Sequence, residues 1–129
     1  MSKITDNYEQ ARNESQRILD KLQIKRPSCG FDVGLGWMPI IEKALDEMVA
    51  AGWNKELDQI KQKFCGLRIY VRESTPEVIA IIAKAERECE LACENCGAPH
   101  GLPNPGCRGG VAFCPSCIEL AKQDGWWRG

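Results

Sequence analysis

Cys93-x-x-Cys96 and Cys114-x-x-Cys117 stand 17 residues apart, with Cys107 and the chain's only histidine, His100, between them. This is the spacing of a four-cysteine zinc site. Two residues between cysteines allow a tight turn to aim both sulfurs at one ion. A second such turn completes a tetrahedron, with metal–sulfur distances of about 2.3 Å. Gly97, directly after Cys96, suits a turn that must pass through positive φ. Pro115 suits the first turn of a helix running through Ile118 and Leu120, whose N-terminus would favour the thiolates. The expected ligands are therefore Cys93, Cys96, Cys114 and Cys117, holding one zinc ion in a ribbon. His100 and Cys107 are the rival ligands, and Cys89, one helical turn before Cys93, is a weaker one. The plainer roles for these three are a surface imidazole, a loop thiol and a buried helix cysteine. Cys29 and Cys65 are isolated in the sequence and read as unreactive. Four thiolates leave no position for an activated water, so the expected zinc stabilises the fold and performs no chemistry.

Clustered cysteines also build disulfide knots and redox centres. A thioredoxin-type centre needs one C-x-x-C pair on a βαβ scaffold, and two pairs at ribbon spacing fit that poorly. The start, MSKITDNYEQ, lacks the apolar stretch of a signal peptide, and no apolar run approaches the roughly 20 residues that cross a bilayer. A reducing, cytoplasmic setting is the expectation, and disulfides seldom persist there. With 129 residues, 17 basic and 18 acidic side chains, the chain is one modest domain of near-neutral charge. That balance marks the chain neither as a polyanion binder nor as an acidic DNA mimic.

Catalysis finds little support. One histidine removes most general-base, triad and metal-hydrolase schemes, including the HNH-type nucleases that share a ribbon. No P-loop, GxGxxG, GxSxG or paired-carboxylate motif occurs. Asp32, Asp46 and Glu47 read as solvated charge. The chain is expected not to be an enzyme and to have no small-molecule substrate.

The elements that must position the cysteines follow from periodicity, and the fold class they imply is α+β: helices packed on a β-hairpin, with a C-terminal zinc-ribbon module. Ile4, Tyr8, Ala11, Ser15, Ile18 and Leu22 form the thin apolar seam of an N-terminal helix, which needs its own domain or a partner to lie on. Pro27 and SCGFDVGLG end it in a loop. Trp37, Ile40, Ile41, Ala44, Leu45 and Met48 mark a second helix, with Pro39 in its first turn and Gly52 at its stop. LDQIKQKFCGLRIYVRE changes period to two and reads as a hairpin turning at Cys65-Gly66, with Phe64 facing Leu67, Ile60 facing Val71 and Gln62 a misfit opposite Ile69. Lys61, Lys63, Arg68 and Arg72 surround Tyr70 on its other face. This stripe is either a nucleic-acid or acidic-partner surface or, more plainly, a solvated face that blunts an edge. Ser74 and Glu77 suggest a capping box opening a third helix, with Val78, Ile81, Ile82, Ala85 and Cys89 inward. The expected core is Trp37, Ile41, Leu45, Phe64, Leu67, Ile69, Ile81 and Ile82. GWWRG brings Trp126 and Trp127, either folded back on the ribbon or free as an interface anchor. The organisation is thus an N-terminal helix (1–28), an α+β core (29–92) and a zinc ribbon with its tail (93–129).

GWMPIIEKAL, QIKQKFCGLRIYV, a helix and then C-x-x-C…C-x-x-C, in that order, resemble a family of small phage and prophage proteins. In that family a Gly-Trp-x-Pro helix precedes a Lys-Phe-Gly-Gly-Leu-Arg hairpin and a C-terminal zinc ribbon. The resemblance runs from about Gly36 to Leu120 and rests on Gly36, Trp37, Pro39, Lys63, Phe64, Gly66, Leu67, Arg68 and the four ribbon cysteines. Cys65 departs from it, standing where the first turn glycine is expected. The resemblance implies a mobile-element origin, a place in the cytoplasm of a bacterial host, and action by stoichiometric binding. An inhibitor of a host defence system, anti-CRISPR-like and docked on a host protein such as a defence nuclease, is the favoured expectation. A zinc-ribbon accessory factor that binds nucleic acid is the alternative. The candidate interaction residues are Lys61, Lys63, Arg68, Tyr70, Arg72, Trp126 and Trp127.

Overall fold

The computed structural model describes residues 3–25, 31–99, 107–108 and 111–125. The fold is α+β. Helix α1 (Lys3–Leu22) is followed by a short 3-10 turn (Leu35–Trp37) that runs directly into α2 (Met38–Ala50). Strands β1 (Leu57–Lys63) and β2 (Gly66–Val71) form an antiparallel hairpin, and α3 (Pro76–Glu90) returns across it. A second small hairpin, β3 (Cys107–Arg108) with β4 (Val111–Ala112), leads into α4 (Pro115–Gln123).

The expected stripe of α2 is buried: Trp37, Ile41, Ala44, Leu45 and Met48 lie in the main core with Leu57, Ile60, Leu67 and Ile69 of the hairpin. Helix α3 contributes Val78, Ala85 and Cys89, while Ile81 and Ile82 are only partly buried at its edge. Phe31, Val33 and Trp53, which carry no periodic signal, complete the core from loops. Helix α1 lies on its own chain. Ala11, Ile18 and Leu19 join this core, whereas Ile4 packs with Phe113, Cys117 and Ala121 in a second cluster beneath the ribbon. Buried Ser15 satisfies its hydroxyl by donating to the Arg12 carbonyl (2.7 Å). Outside, Arg17 and Lys21 both pair with Glu42 of α2, exposed contacts that add little stability.

Helix α3 is capped differently from the expectation. Pro76 occupies its first turn and holds Thr75 extended (φ −114°, ψ 166°), so the Thr75 side chain, rather than Ser74, accepts the Val78 N–H. Both edges of the β1–β2 hairpin have partners. The Asp32 backbone pairs with Ile60 and Gln62 along β1, and the Glu86 carboxylate, raised by burial, accepts the Ile69 N–H on β2.

The hairpin turns one residue earlier than expected. Lys63 pairs with Gly66, Gln62 with Leu67 and Ile60 with Ile69, so the two-residue turn is Phe64-Cys65. Both have positive φ (52° and 64°), the signature of a type I′ turn. Cys65 therefore points inward and is 3% exposed, while Phe64 leaves the expected core and is 83% exposed. Gln62 ceases to be a misfit: its side-chain oxygen Oε1 accepts the Cys65 N–H (3.3 Å), and the same side chain meets Glu94. A phenylalanine held at positive φ is strained, because only Gly, Asn and Asp visit that region cheaply. Phe64→Asn should therefore raise stability by about 1 kcal/mol in a denaturant titration. A lowered midpoint would mean that the ring supports the fold.

Candidate metal centre and the hairpin surface

The sulfurs of Cys93, Cys96, Cys114 and Cys117 lie within 4.8 Å of one another and could hold a metal ion. Cys93 and Cys96 come from the turn that follows α3, with Gly97 at φ 80° and its N–H bonded to the Cys93 carbonyl (2.9 Å). Cys114 is the N-cap of α4, and Cys117 lies in its first turn. The Cys96 and Cys114 sulfurs are 3.8 Å apart. A tetrahedron with about 2.3 Å metal–sulfur bonds has edges of about 3.8 Å, so this donor set fits such an ion. All four are free of disulfides.

Backbone and amide N–H groups surround the sulfurs. Cys93 Sγ faces the N–H of Cys114 (3.2 Å) and of Cys96 (3.5 Å), and Cys117 Sγ receives Asn95 Nδ2 (3.3 Å). Such donors favour thiolates and orient the ligands. Burial pushes the Cys93 and Cys117 thiols up. Burial acts on Cys114 as well, but the N–H of Cys117 at the helix start and the neighbouring sulfurs outweigh it and hold Cys114 low.

The centre is bolted to the rest of the molecule by a residue between its ligands. Glu94 is 1% exposed. Its Oε2 accepts the Gly34 N–H (2.9 Å) and lies 3.4 Å from the Tyr8 hydroxyl. Its backbone exchanges bonds with Ala112 and Gly36 (both 2.8 Å). Burial raises both the Glu94 carboxyl and the Tyr8 phenol. Trp37 Nε1 donates to the Ala92 carbonyl (2.9 Å), and Asn7 reaches the Asn95 carbonyl (2.8 Å). Glu94 is not among the expected site residues, since a carboxylate between two cysteines reads as solvated charge.

Cys89 stands apart from the sulfur cluster, fully buried in the main core, where burial pushes its thiol up. His100, Cys29 and the side chain of Cys107 lie outside the described residues, as do Trp126 and Trp127. The expectation that Cys65 is isolated is corrected: the turn directs its side chain inward, and it is disulfide-bonded.

On the hairpin's outer face, Lys61 pairs across from Arg68, and Tyr70 from Gln59. Lys61 Nζ lies 5.8 Å from the centre of the Tyr70 ring, and Lys63 Nζ lies 5.6 Å from that of Phe64. Arg72, beyond a bulge, is paired with Asp58 (3.7 Å) and stands apart from this group. The described structure therefore places Lys61, Lys63, Arg68 and Tyr70 together and adds Phe64.

Comparisons with protein-family models, curated proteins and solved structures find no match. What the chain can do rests on its own geometry. A closed four-sulfur centre offers structural cross-linking, and an exposed, basic, aromatic hairpin offers a surface for another molecule. No helix among the described residues is long and apolar enough to cross a membrane.

Proposed function

We propose that the chain is a non-catalytic binding protein of phage or mobile-element type. Zinc braces it, and the outer face of the β1–β2 hairpin is its contact surface for nucleic acid. Zinc is the ion because four soft thiolates in a closed tetrahedron suit it, and because the site needs no redox chemistry. The observation that carries the nucleic-acid reading is Phe64, 83% exposed beside Lys63. With Tyr70 it makes two exposed aromatics among Lys61, Lys63 and Arg68. Lysine is depleted at protein–protein interfaces, whereas aromatics interleaved with cations suit bases and phosphates.

The test is fluorescence anisotropy with labelled oligonucleotides across a salt series. Affinity should fall with salt with a log–log slope of about −0.7 to −0.9 for each phosphate contacted. Lys61→Glu with Lys63→Glu should weaken binding and flatten that slope. Binding that ignores salt, or that survives the double substitution, overturns the reading.

A second reading, an anti-CRISPR-like inhibitor docked on a host defence protein, is supported by a different surface. A groove of about 460 Å³ between α1 and the start of α2 has Leu35, Met38 and Pro39 on one side and Gln10, Asn13 and Glu14 on the other. Near-neutral charge suits such docking. A nuclease-resistant complex with an isolated defence nuclease, lost on changing the exposed groove residue Asn13→Arg, would favour it over the nucleic-acid reading.

A further inference from the structure

Phe64 combines two costs that folding alone would remove. It holds a bulky side chain at φ 52° and leaves that side chain 83% in solvent. A two-residue I′ turn is served better by Asn-Gly, which needs neither strain nor exposed aromatic surface. Strain at an exposed residue, held in place by its surroundings, points to use. The surroundings here are specific. Cys65, the other turn residue, is buried and disulfide-bonded, and its N–H is bonded to Gln62. The apex is therefore fastened from below, and the Phe64 ring is presented outward.

The charges beside the ring name the partner's chemistry. Among the described residues, no carboxylate lies within ion-pair distance of Lys61, Lys63 or Arg68, whereas Arg72 further along has Asp58. Arg68 Nη1 donates to the Leu67 carbonyl (2.9 Å), which fixes it beside the apex. Lys61 and Lys63 make no ion pair among the described residues, and Arg68 feels the Glu86 carboxylate without pairing to it; such cations beside an exposed aromatic ring suit an anionic chain that also carries flat apolar faces. Paired bases are already stacked, and inserting a ring between them costs a few kcal/mol per step. An unpaired base offers its face freely.

Resting on the nucleic-acid reading above, we infer that the hairpin apex binds single-stranded nucleic acid, with Phe64 stacked on an unpaired base and Lys61, Lys63 and Arg68 along the phosphates. Tyr70 lies roughly 13 Å from the Lys63–Gly66 pair at the usual strand rise, and offers a second platform further along the same strand. Neither ring nor lysine reads a 2′-hydroxyl, so DNA and RNA strands are held alike.

The metal-loaded full chain is titrated into labelled oligo-dT, oligo-U and a DNA duplex of equal length. Phe64→Ala, Phe64→Leu and Phe64→Trp are compared with the parent, with thermal melts to verify folding. Both single strands should bind more tightly than the duplex. The Ala and Leu variants should lose about 5- to 150-fold, the range for one stacked base, and Trp should retain affinity. Duplex bound as tightly as single strand, with Ala and Leu variants like the parent, overturns the stacking inference. If the Lys61→Glu, Lys63→Glu pair still abolishes that binding, the broader nucleic-acid reading stands. A Leu variant that binds like the parent while Ala does not means a simple apolar contact and also overturns it. No binding to any of the three oligonucleotides by the parent overturns both.

Discussion

Stripping the metal from the cysteine centre should unfold the ribbon and loosen the helical core with it. Structural zinc in isolated fingers is worth about 10–16 kcal/mol of apparent binding energy, as much as the roughly 5–15 kcal/mol that stabilises a whole domain. The ribbon's own apolar cluster is small: Ile4, Phe113, Cys117 and Ala121 with Cys93, and Tyr8, Ile118 and Leu120 partly buried beside them. Its loss would expose Ile4, unpair Glu94 from Gly34 and Tyr8, and free Trp37 Nε1 from the Ala92 carbonyl. Metal analysis should find one zinc ion per chain. A strong chelator should then shift tryptophan emission and abolish the cooperative melt, and returned zinc should restore both. A native-like melt after chelation, or full zinc content in a Cys96→Ser, Cys117→Ser variant, would refute the assignment.

The second large effect is expected at Gly36. A Cβ there would lie 2.4 Å from the Cys93 carbonyl oxygen and 2.4 Å from the Gly97 nitrogen, both backbone atoms of the ligand turn. No rotamer change can relieve that contact, so Gly36→Ala must push the ribbon away from the start of α2. We expect a loss of about 3 kcal/mol or more, at or beyond the upper end for overpacking. The bond from the Gly36 N–H to the Glu94 carbonyl would go with it. Gly52→Ala is the control. Nothing lies within 4 Å of its Cβ, and only its φ of 90° is at stake, so it should cost about 1 kcal/mol. Equal denaturation midpoints for the two variants would show that the ribbon sits loosely on the core.

The cysteine ligands are legible in the sequence because two short turns bring them together, and short turns are written locally. Helix α2 is legible for the same reason: Trp37, Ile41, Leu45 and Met48 repeat at helical spacing, with Pro39 in the first turn and Gly52 just past the end. The turn at Phe64-Cys65 escapes such reading because it breaks the local rule. Gly66 is the residue that tolerates positive φ, yet it sits in β2. The long-range pairing of Leu67, Ile69, Ile60 and Leu57 against α2 and α3 overrides the preference of the turn itself. Glu94 and Gly36 escape for another reason. Their roles arise from the approach of segments some 60 residues apart, and no pattern within either segment announces it.

Helix α1 also bears on how the protein comes off the ribosome. Its contacts with the ribbon reach far along the chain: Asn7 to Asn95 spans 88 residues and Lys3 to Asp124 spans 121. At translation speeds of about 5–20 residues per second, the apolar face around Ile4 waits roughly 5–20 s for its cover to be made. Through that interval the nascent helix is a natural client for chaperones, and the arrival of the cysteines and their metal ends its exposure.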